Sequence, residues 1–300
     1  MKKVVNIEKT DSDFKDYILF DIETTGLSRS KDFIYMFGLC EKRGKELIHS
    51  QYYIEDESEE KELILKVKEL LKSKKVISYN GDRFDFPFIR KKMEKYNITK
   101  FDFENIDIYR QFQKLNFFLD EPSLKAISLG KRLGFDVHDH VNQQEMPKIY
   151  KMYQELKDKE ILSKLIYHNY IDLKVLSYIY EYKESILNKI LTINNKKFKG
   201  ILKTIYIQKN YLIIRLFNIK NIDINFHESN YSITSNKDEI KITLELESGI
   251  IENNIKAKVF KSKYDNKIFK ESSNLNENFV LIIKNNKIIK ENLLLLLNLI

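Results

Sequence analysis

Residues 17–27, YILFDIETTGL, decide how this chain is read. Tyr17, Ile18, Leu19 and Phe20 run together as in a buried strand, and Asp21 and Glu23 follow two residues apart. Side chains alternate along a strand, so the two carboxylates share one face. Their mutual repulsion and their loss of water have to be offset by something positive, and a bound metal ion would do that. The competing reading ends the strand at Phe20 and leaves both acids solvated in a loop. Only partners elsewhere in the chain distinguish the two.

Outward from this stretch, DFIYMFGLCEKRGKELIHSQYYIED predicts two further strands joined by a turn at Arg43 and Gly44. The acid run EDESEEKE leads into LILKVKELLKSKK, where Leu63, Val67, Leu70 and Leu71 recur at helical spacing. Acids first and lysines last suit the helix dipole, so this charge run is expected to be a solvated helix face. In VISYNGDRFDFPFIRKKMEKY, Val76 to Tyr79 read as a short buried strand and Asn80-Gly81 as a turn. Phe86 to Tyr96 then read as a helix with Pro87 in its first turn. NIDIYRQF is expected to be a strand, SLKAISLGKRLG a helix, and Met146 to Leu187 one long helical stretch. Strands alternating with helices after a hairpin-rich start indicate an α/β domain with a mixed sheet flanked by helices.

From about Lys196 the pattern changes to β-rich segments, GILKTIYIQ, YLIIRLFNI, EIKITLELE, KAKVFKSKY and FVLIIKNNKII. A small β-rich C-terminal domain over residues 196–300 is expected, following a first domain over residues 1–187. The closing ENLLLLLNLI reads as a docked terminal helix. Charge divides along the same line. Residues 1–185 hold 33 Lys+Arg and 33 Asp+Glu, whereas residues 186–300 hold 19 against 11, so the entire formal excess of +8 lies in the second part. A basic appendage suits a phosphate-backbone binder, although a chain rich in Asn, Lys and Ile throughout would show the same excess without any selection for binding.

No apolar run approaches the ~20 residues that span a bilayer, and the N-terminal residues lack a signal peptide's apolar core. The lone cysteine, Cys40, excludes an internal disulfide and a multi-cysteine zinc site. A cytoplasmic protein without a membrane partner is the expectation. His138 and His140 form an H-x-H that invites a zinc reading, but no cysteine lies near them. His49 and His227 carry no pattern. Gly130 and Gly134 do not form a phosphate-binding loop, which disfavours a nucleotide-triphosphate motor.

Two further acids stand in telling contexts. Asp85 follows a strand and precedes a helix in YNGDRFDFPF, and Asp172 lies within the helical YHNYIDLKVL. Taken alone, Asp85 reads as a helix N-cap and Asp172 as an exposed helical acid. In order and local context, however, Asp21, Glu23, Asp85 and Asp172 resemble the DEDD (DnaQ-like) 3′–5′ exonucleases of the ribonuclease H-like superfamily. FDIETTGL is similar to that group's first motif, YNGDRFDFPF to its second and YHNYIDLKVL to its third. The resemblance covers roughly residues 15–185 and is closest to small bacterial predicted exonucleases.

The resemblance implies a ribonuclease H-like mixed sheet. It also implies that the four acids hold two Mg²⁺ or Mn²⁺ ions, for which carboxylates are suitable hard ligands. Two ions ~4 Å apart would clamp the attacking and leaving oxygens of a phosphoryl displacement. Asp21, Glu23 and Asp172 would hold one ion, and Asp21 would help to bridge to the second. Thr24, Thr25 and Leu27 would meet the terminal nucleotide through backbone N–H groups and an apolar wedge. Asn80 would hydrogen-bond the incoming strand, and Phe84 and Phe86 would stack on bases or pack in the core.

The third motif departs from the family pattern. One branch of the family carries Tyr four residues before the last Asp and another carries His five before it, but here His168 is at minus four and Tyr167 at minus five. Minus four returns to the face of Asp172 on a helix, so His168 is expected to orient or deprotonate the attacking water. Tyr167 takes that part if the helix begins late.

The leading expectation is a metal-dependent exonuclease that removes nucleotides from the 3′ end of single-stranded DNA or RNA. Two other classes stay open. One is a nucleic-acid-binding module on a catalytically weak nuclease fold, and the other is a ribonuclease H-type endonuclease that cuts internally.

Overall fold

The computed structural model describes residues 1–10, 17–136, 145–251, 254–272, 275–276 and 278–300, and His138 and His140 lie outside the described residues. The described chain divides into two compact units, one comprising Met1–Arg110 with Ser123–Glu184 and the other Gln111–Pro122 with Ser185–Ile300.

The first unit is built on a six-stranded sheet. Its strands are β1 (Lys2–Lys9), β2 (Tyr17–Thr24), β3 (Ile34–Arg43), β4 (Glu46–Tyr53), β5 (Lys75–Ser78) and β6 (Glu104–Asp107), in the spatial order β1-β4-β3-β2-β5-β6. Neighbours from β1 to β2 run antiparallel, while β2 with β5 and β5 with β6 run parallel, so the sheet is mixed as expected. The hairpin between β3 and β4 turns at Gly44, whose φ of 61° suits glycine. β1 is an addition to the expected elements. It pairs along β4 and is exposed over most of its length, so it lacks the apolar alternation by which strands are recognised.

Among the described residues, five helices accompany the sheet and a sixth, α3, leads into the second unit. They are α1 (Glu60–Leu71), α2 (Asp85–Lys95), α3 (Ile108–Leu119), α4 (Ala126–Arg132), α5 (Met146–Leu156) and α6 (Lys159–Tyr182). The aromatic run of β2 and β3 supplies the core: Phe20 lies 5.9 Å from Phe37 and 6.0 Å from Phe86 of α2, ring centre to ring centre. α6 packs against β2, β3 and β4 and contacts α4 and α5.

Three expectations are corrected. NIDIYRQF is not one strand: β6 stops at Asp107, whose carboxylate accepts the N–H of Arg110 at 3.2 Å and so starts α3. The stretch Met146 to Leu187 is not one helix. Lys157 takes a left-handed φ of 51°, and the Asp158 side chain then accepts the N–H groups of Glu160 and Ile161 to begin α6. The acid run EDESEEKE is not wholly solvated either, because Glu60 is fully buried. Its carboxylate accepts the N–H of Ile34 at 2.8 Å and the hydroxyl of Tyr96 at 2.6 Å, and Lys92, itself buried, lies 3.6 Å away.

The second unit is β-rich. One six-stranded sheet takes β7 (Thr192–Asn194), β8 (Lys199–Gln208), β9 (Tyr211–Asn218), β10 (Asn225–His227), β11 (Tyr231–Ser235) and β12 (Glu239–Glu245). A four-stranded sheet takes β13 (Glu247–Ile251), β14 (Ile255–Lys261), β15 (Phe279–Lys284) and β16 (Lys287–Ile288). A short helix α7 (Asn188–Ile190) precedes β7. The leucine-rich C-terminus forms helix α8 (Lys290–Leu299), which buries Leu293, Leu296 and Leu297.

Candidate active site

The parallel pairing of β2 with β5 ends at Leu19 and Ile77, so β2 runs on past its neighbour toward Asp21 and Glu23. The gap leaves the N–H of Ile22 without a strand on that side. Asp85, the first residue of α2, fills it by accepting that N–H at 3.2 Å. Asp85 is therefore not the N-cap, a position held by Phe84, and its carboxylate meets β2 at the residue between Asp21 and Glu23.

α6 closes the site from the other side. Asn169 donates to Asp21 Oδ2 at 2.9 Å. That approach depends on Gly38, which pairs with Asp21 across β3: a β-carbon there would stand 1.9 Å from Asn169 Oδ1. Beside it on the helix, His168 is buried, with Nε2 3.4 Å from Asp172 Oδ2 and 3.9 Å from Glu23 Oε1. Tyr167 instead points outward, 44% exposed, beside Tyr170. The helical periodicity thus places histidine rather than tyrosine on the face of Asp172.

Electrostatics mark the cluster as strained without a cation. Burial, then Asp85, Glu23 and Asp172, drive the Asp21 carboxyl well above its usual range, against the hydrogen bond from Asn169. Burial and then Asp172 do the same to Glu23. Asp85 is pushed up to about 7, chiefly by burial, with its backbone hydrogen bonds acting in the opposite direction. Clustered acids whose ionisation is opposed first by burial and then by neighbouring charge are a donor set that a divalent cation neutralises. Glu23, His168 and Asp172 each offer a ligand atom, all within 4.8 Å of one another, and Glu23 Oε1 is buried with no hydrogen-bond partner. The residues present fit a divalent metal.

The expected substrate-contacting residues surround this cluster in sequence and differ in how they are held. Thr24 donates its hydroxyl to the Gly26 carbonyl at 2.7 Å. The N–H of Thr25 is committed to the Phe33 carbonyl at 3.0 Å, and its hydroxyl accepts the N–H of Phe33. Leu27 stands 85% exposed in the loop beyond β2. Asn80 takes a left-handed φ of 65°, and its Oδ1 is buried with no hydrogen-bond partner. Phe84 is half-buried against Phe88, while Phe86 is buried against Phe20 and Phe103.

Three residues of the site escape the sequence reading. Asn169 and Gly38 are two. The third is Asp107, whose buried carboxylate accepts the N–H groups of Asn80, Asp82 and Arg110 at 3.0, 3.1 and 3.2 Å. It pins the turn that delivers Asn80 and, three residues beyond Asp82, Asp85. Asp82 is held in turn by Arg110 and by Asn105 at 2.9 Å.

A mixed sheet with a carboxylate pair on its central strand, met by an acid from one helix and a His–Asp turn from another, defines a ribonuclease H-like domain. Residues 18–184 match the family model of the RNase H superfamily, and the chain belongs to that superfamily. The resemblance to its DEDD exonucleases holds accordingly. Among curated proteins, the DNA polymerase III PolC-type of Mycoplasma pneumoniae is 26% identical over 183 residues, covering 52% of this chain and 12% of the polymerase. That of Mycoplasma genitalium is 27% identical over 158 residues, covering 45% and 11%. The chain therefore matches only a small part of these relatives' length. The solved zinc-bound complex of E. coli exonuclease I with single-stranded DNA aligns with a TM-score of 0.33 at 12% identity, over 69% of this chain and 55% of that one. Among the described residues, no helix is long and apolar enough to cross a membrane.

Proposed function

We propose that this chain is a metal-dependent exonuclease that hydrolyses phosphodiester bonds from the 3′ end of single-stranded DNA or RNA. One observation supports this above all: at the end of β2, Asp85 accepts the N–H between Asp21 and Glu23, Asn169 of α6 donates to Asp21, and His168 lies 3.4 Å from Asp172 and 3.9 Å from Glu23. Asp21, Glu23, Asp85 and Asp172 would hold two Mg²⁺ or Mn²⁺ ions. When bound, such ions polarise the phosphate and offset the charge developing on it.

The chain's own groups account for the rest. Asp85 and Asn169 hold the end of β2 in place, so that the carboxylates of Asp21 and Glu23 are presented without reorganisation. His168 Nε2 takes the proton of the attacking water, and Asp172 and Glu23 stabilise the imidazolium that results. Leu27 and Phe84 offer apolar surface to the terminal bases, and the orphaned Oδ1 of Asn80 accepts from the strand. The chemistry belongs to the domain assigned to residues 1–187. The basic, β-rich domain of residues 196–300 serves as an accessory that holds the strand by salt-sensitive contacts.

Hydrolysis of a labelled strand with and without divalent metal, in wild type and in Asp85→Ala, tests the assignment. Loss of metal-dependent turnover in the variant is expected. Equal turnover by both would overturn the assignment.

A further inference from the structure

β3 carries one more residue than β2 where the two strands pass the acids. Glu23 pairs with Met36 and Thr24 with Ile34, which leaves Tyr35 as the bulged residue. Bulges bend a strand and re-aim a side chain, and they recur beside active sites. Tyr35 is fully buried, and its ring stacks on Tyr150 of α5 with centroids 4.0 Å apart and planes 15° apart. A ring held in that way points its hydroxyl in a single direction.

That hydroxyl is buried with no hydrogen-bond partner, as is Glu23 Oε1. Burial and then the negative charge of Glu23, followed by Tyr150, Asp21 and Asp172, push the phenol well above its usual range. A phenol keeps its proton at neutral pH, so the group is a donor, and it stands next to Met36, the residue of β3 that pairs with Glu23. Leaving a buried donor unsatisfied is costly, and such a group in a native fold requires a reason. Packing does not supply one, since Phe33 and Phe37 of the same segment show that this core accepts plain phenyl rings.

We propose that Tyr35 is a positioning residue of the metal site: in the cation-loaded protein its hydroxyl donates to Glu23 Oε1 and fixes the orientation of that carboxylate. The inference rests on the metal-dependent reading of the acid cluster.

Calorimetric titration of Mn²⁺ into the full chain tests it, with wild type, Tyr35→Phe and, as a control on the same ring stack, Tyr150→Phe. Thermal melts without metal accompany each titration. Tyr35→Phe is expected to weaken Mn²⁺ binding ~10–100-fold, as loss of a partner behind a ligand does. Its metal-free melting temperature should equal or exceed that of wild type, because only an unsatisfied hydroxyl is removed. Tyr150→Phe should bind Mn²⁺ like wild type. Unchanged Mn²⁺ affinity in Tyr35→Phe overturns the proposal while leaving the metal site standing, and a markedly lowered metal-free melting temperature overturns it in favour of a structural hydroxyl. A wild type that binds no Mn²⁺ removes the site reading and this inference together.

Discussion

The Asp85 carboxylate accepts the backbone N–H of Ile22 at 3.2 Å, so the helix that supplies one acid is tied to the strand that supplies two others. Burial, working against that bond, raises the proton affinity of the Asp85 carboxyl, which yields a signed prediction.

Burial pushes the Asp85 carboxyl up to about 7 in the folded chain, against a usual 3.8. The folded state therefore holds a proton that the unfolded state has lost, and stability falls as pH rises between those values. Asp85→Asn keeps an acceptor for Ile22 but cannot ionise. Its melting temperature should gain on wild type from pH 4 to pH 8, by the equivalent of about 2–4 kcal/mol, when both are melted in EDTA. A difference that stays flat across that range would show that Asp85 is not the titrating group.

His168 and Tyr167 separate cleanly by burial. His168→Gln should lower kcat by about 10²–10⁴-fold with little change in strand affinity, whereas Tyr167→Phe should retain activity close to wild type. Single-turnover kinetics on both variants measure this. A large loss from Tyr167→Phe would restore the tyrosine to the proton-handling part.

Asp107 acts through the turn it pins. Asp107→Ala frees three N–H groups and should cost about 2–4 kcal/mol in urea unfolding. The milder Asp107→Asn should keep most of that stability yet lower kcat/KM, because Asn80 and Asp85 shift together. Unaltered kinetics in Asp107→Asn would make the residue purely structural.

Gly38 makes room for Asn169. Gly38→Ala would place a β-carbon 1.9 Å from Asn169 Oδ1, displacing the amide from Asp21. A loss of about 1–3 kcal/mol is expected, together with reduced turnover. In an Asn169→Ala background the stability cost should shrink, and denaturant melts of the double-mutant cycle read that coupling.

Local patterns made much of this legible in the sequence. The alternation of Asp21 and Glu23, the Asn-Gly turn before Asp85 and the one-turn step from His168 to Asp172 are all short-range, and each survives in the structure. The remainder depends on contacts distant in sequence. Glu60 looks like one acid among many in EDESEEKE, because nothing local says that the Ile34 N–H and Lys92 meet it. Asp107 ends a strand in a segment that reads equally well as strand throughout, and its partners lie at residues 80 and 82 as well as at 110. Tyr35 falls in an unbroken apolar run, where a bulge leaves no mark on the pattern.

The central claim is tested most directly by 5′-labelled single-stranded DNA and RNA of one sequence, incubated with the full chain in Mn²⁺, Mg²⁺ or EDTA beside Asp85→Ala. A ladder shortening from the 3′ end, present with metal and absent in EDTA and in the variant, is the predicted result. Strands that are bound but never shortened, or that are cut internally, would contradict it.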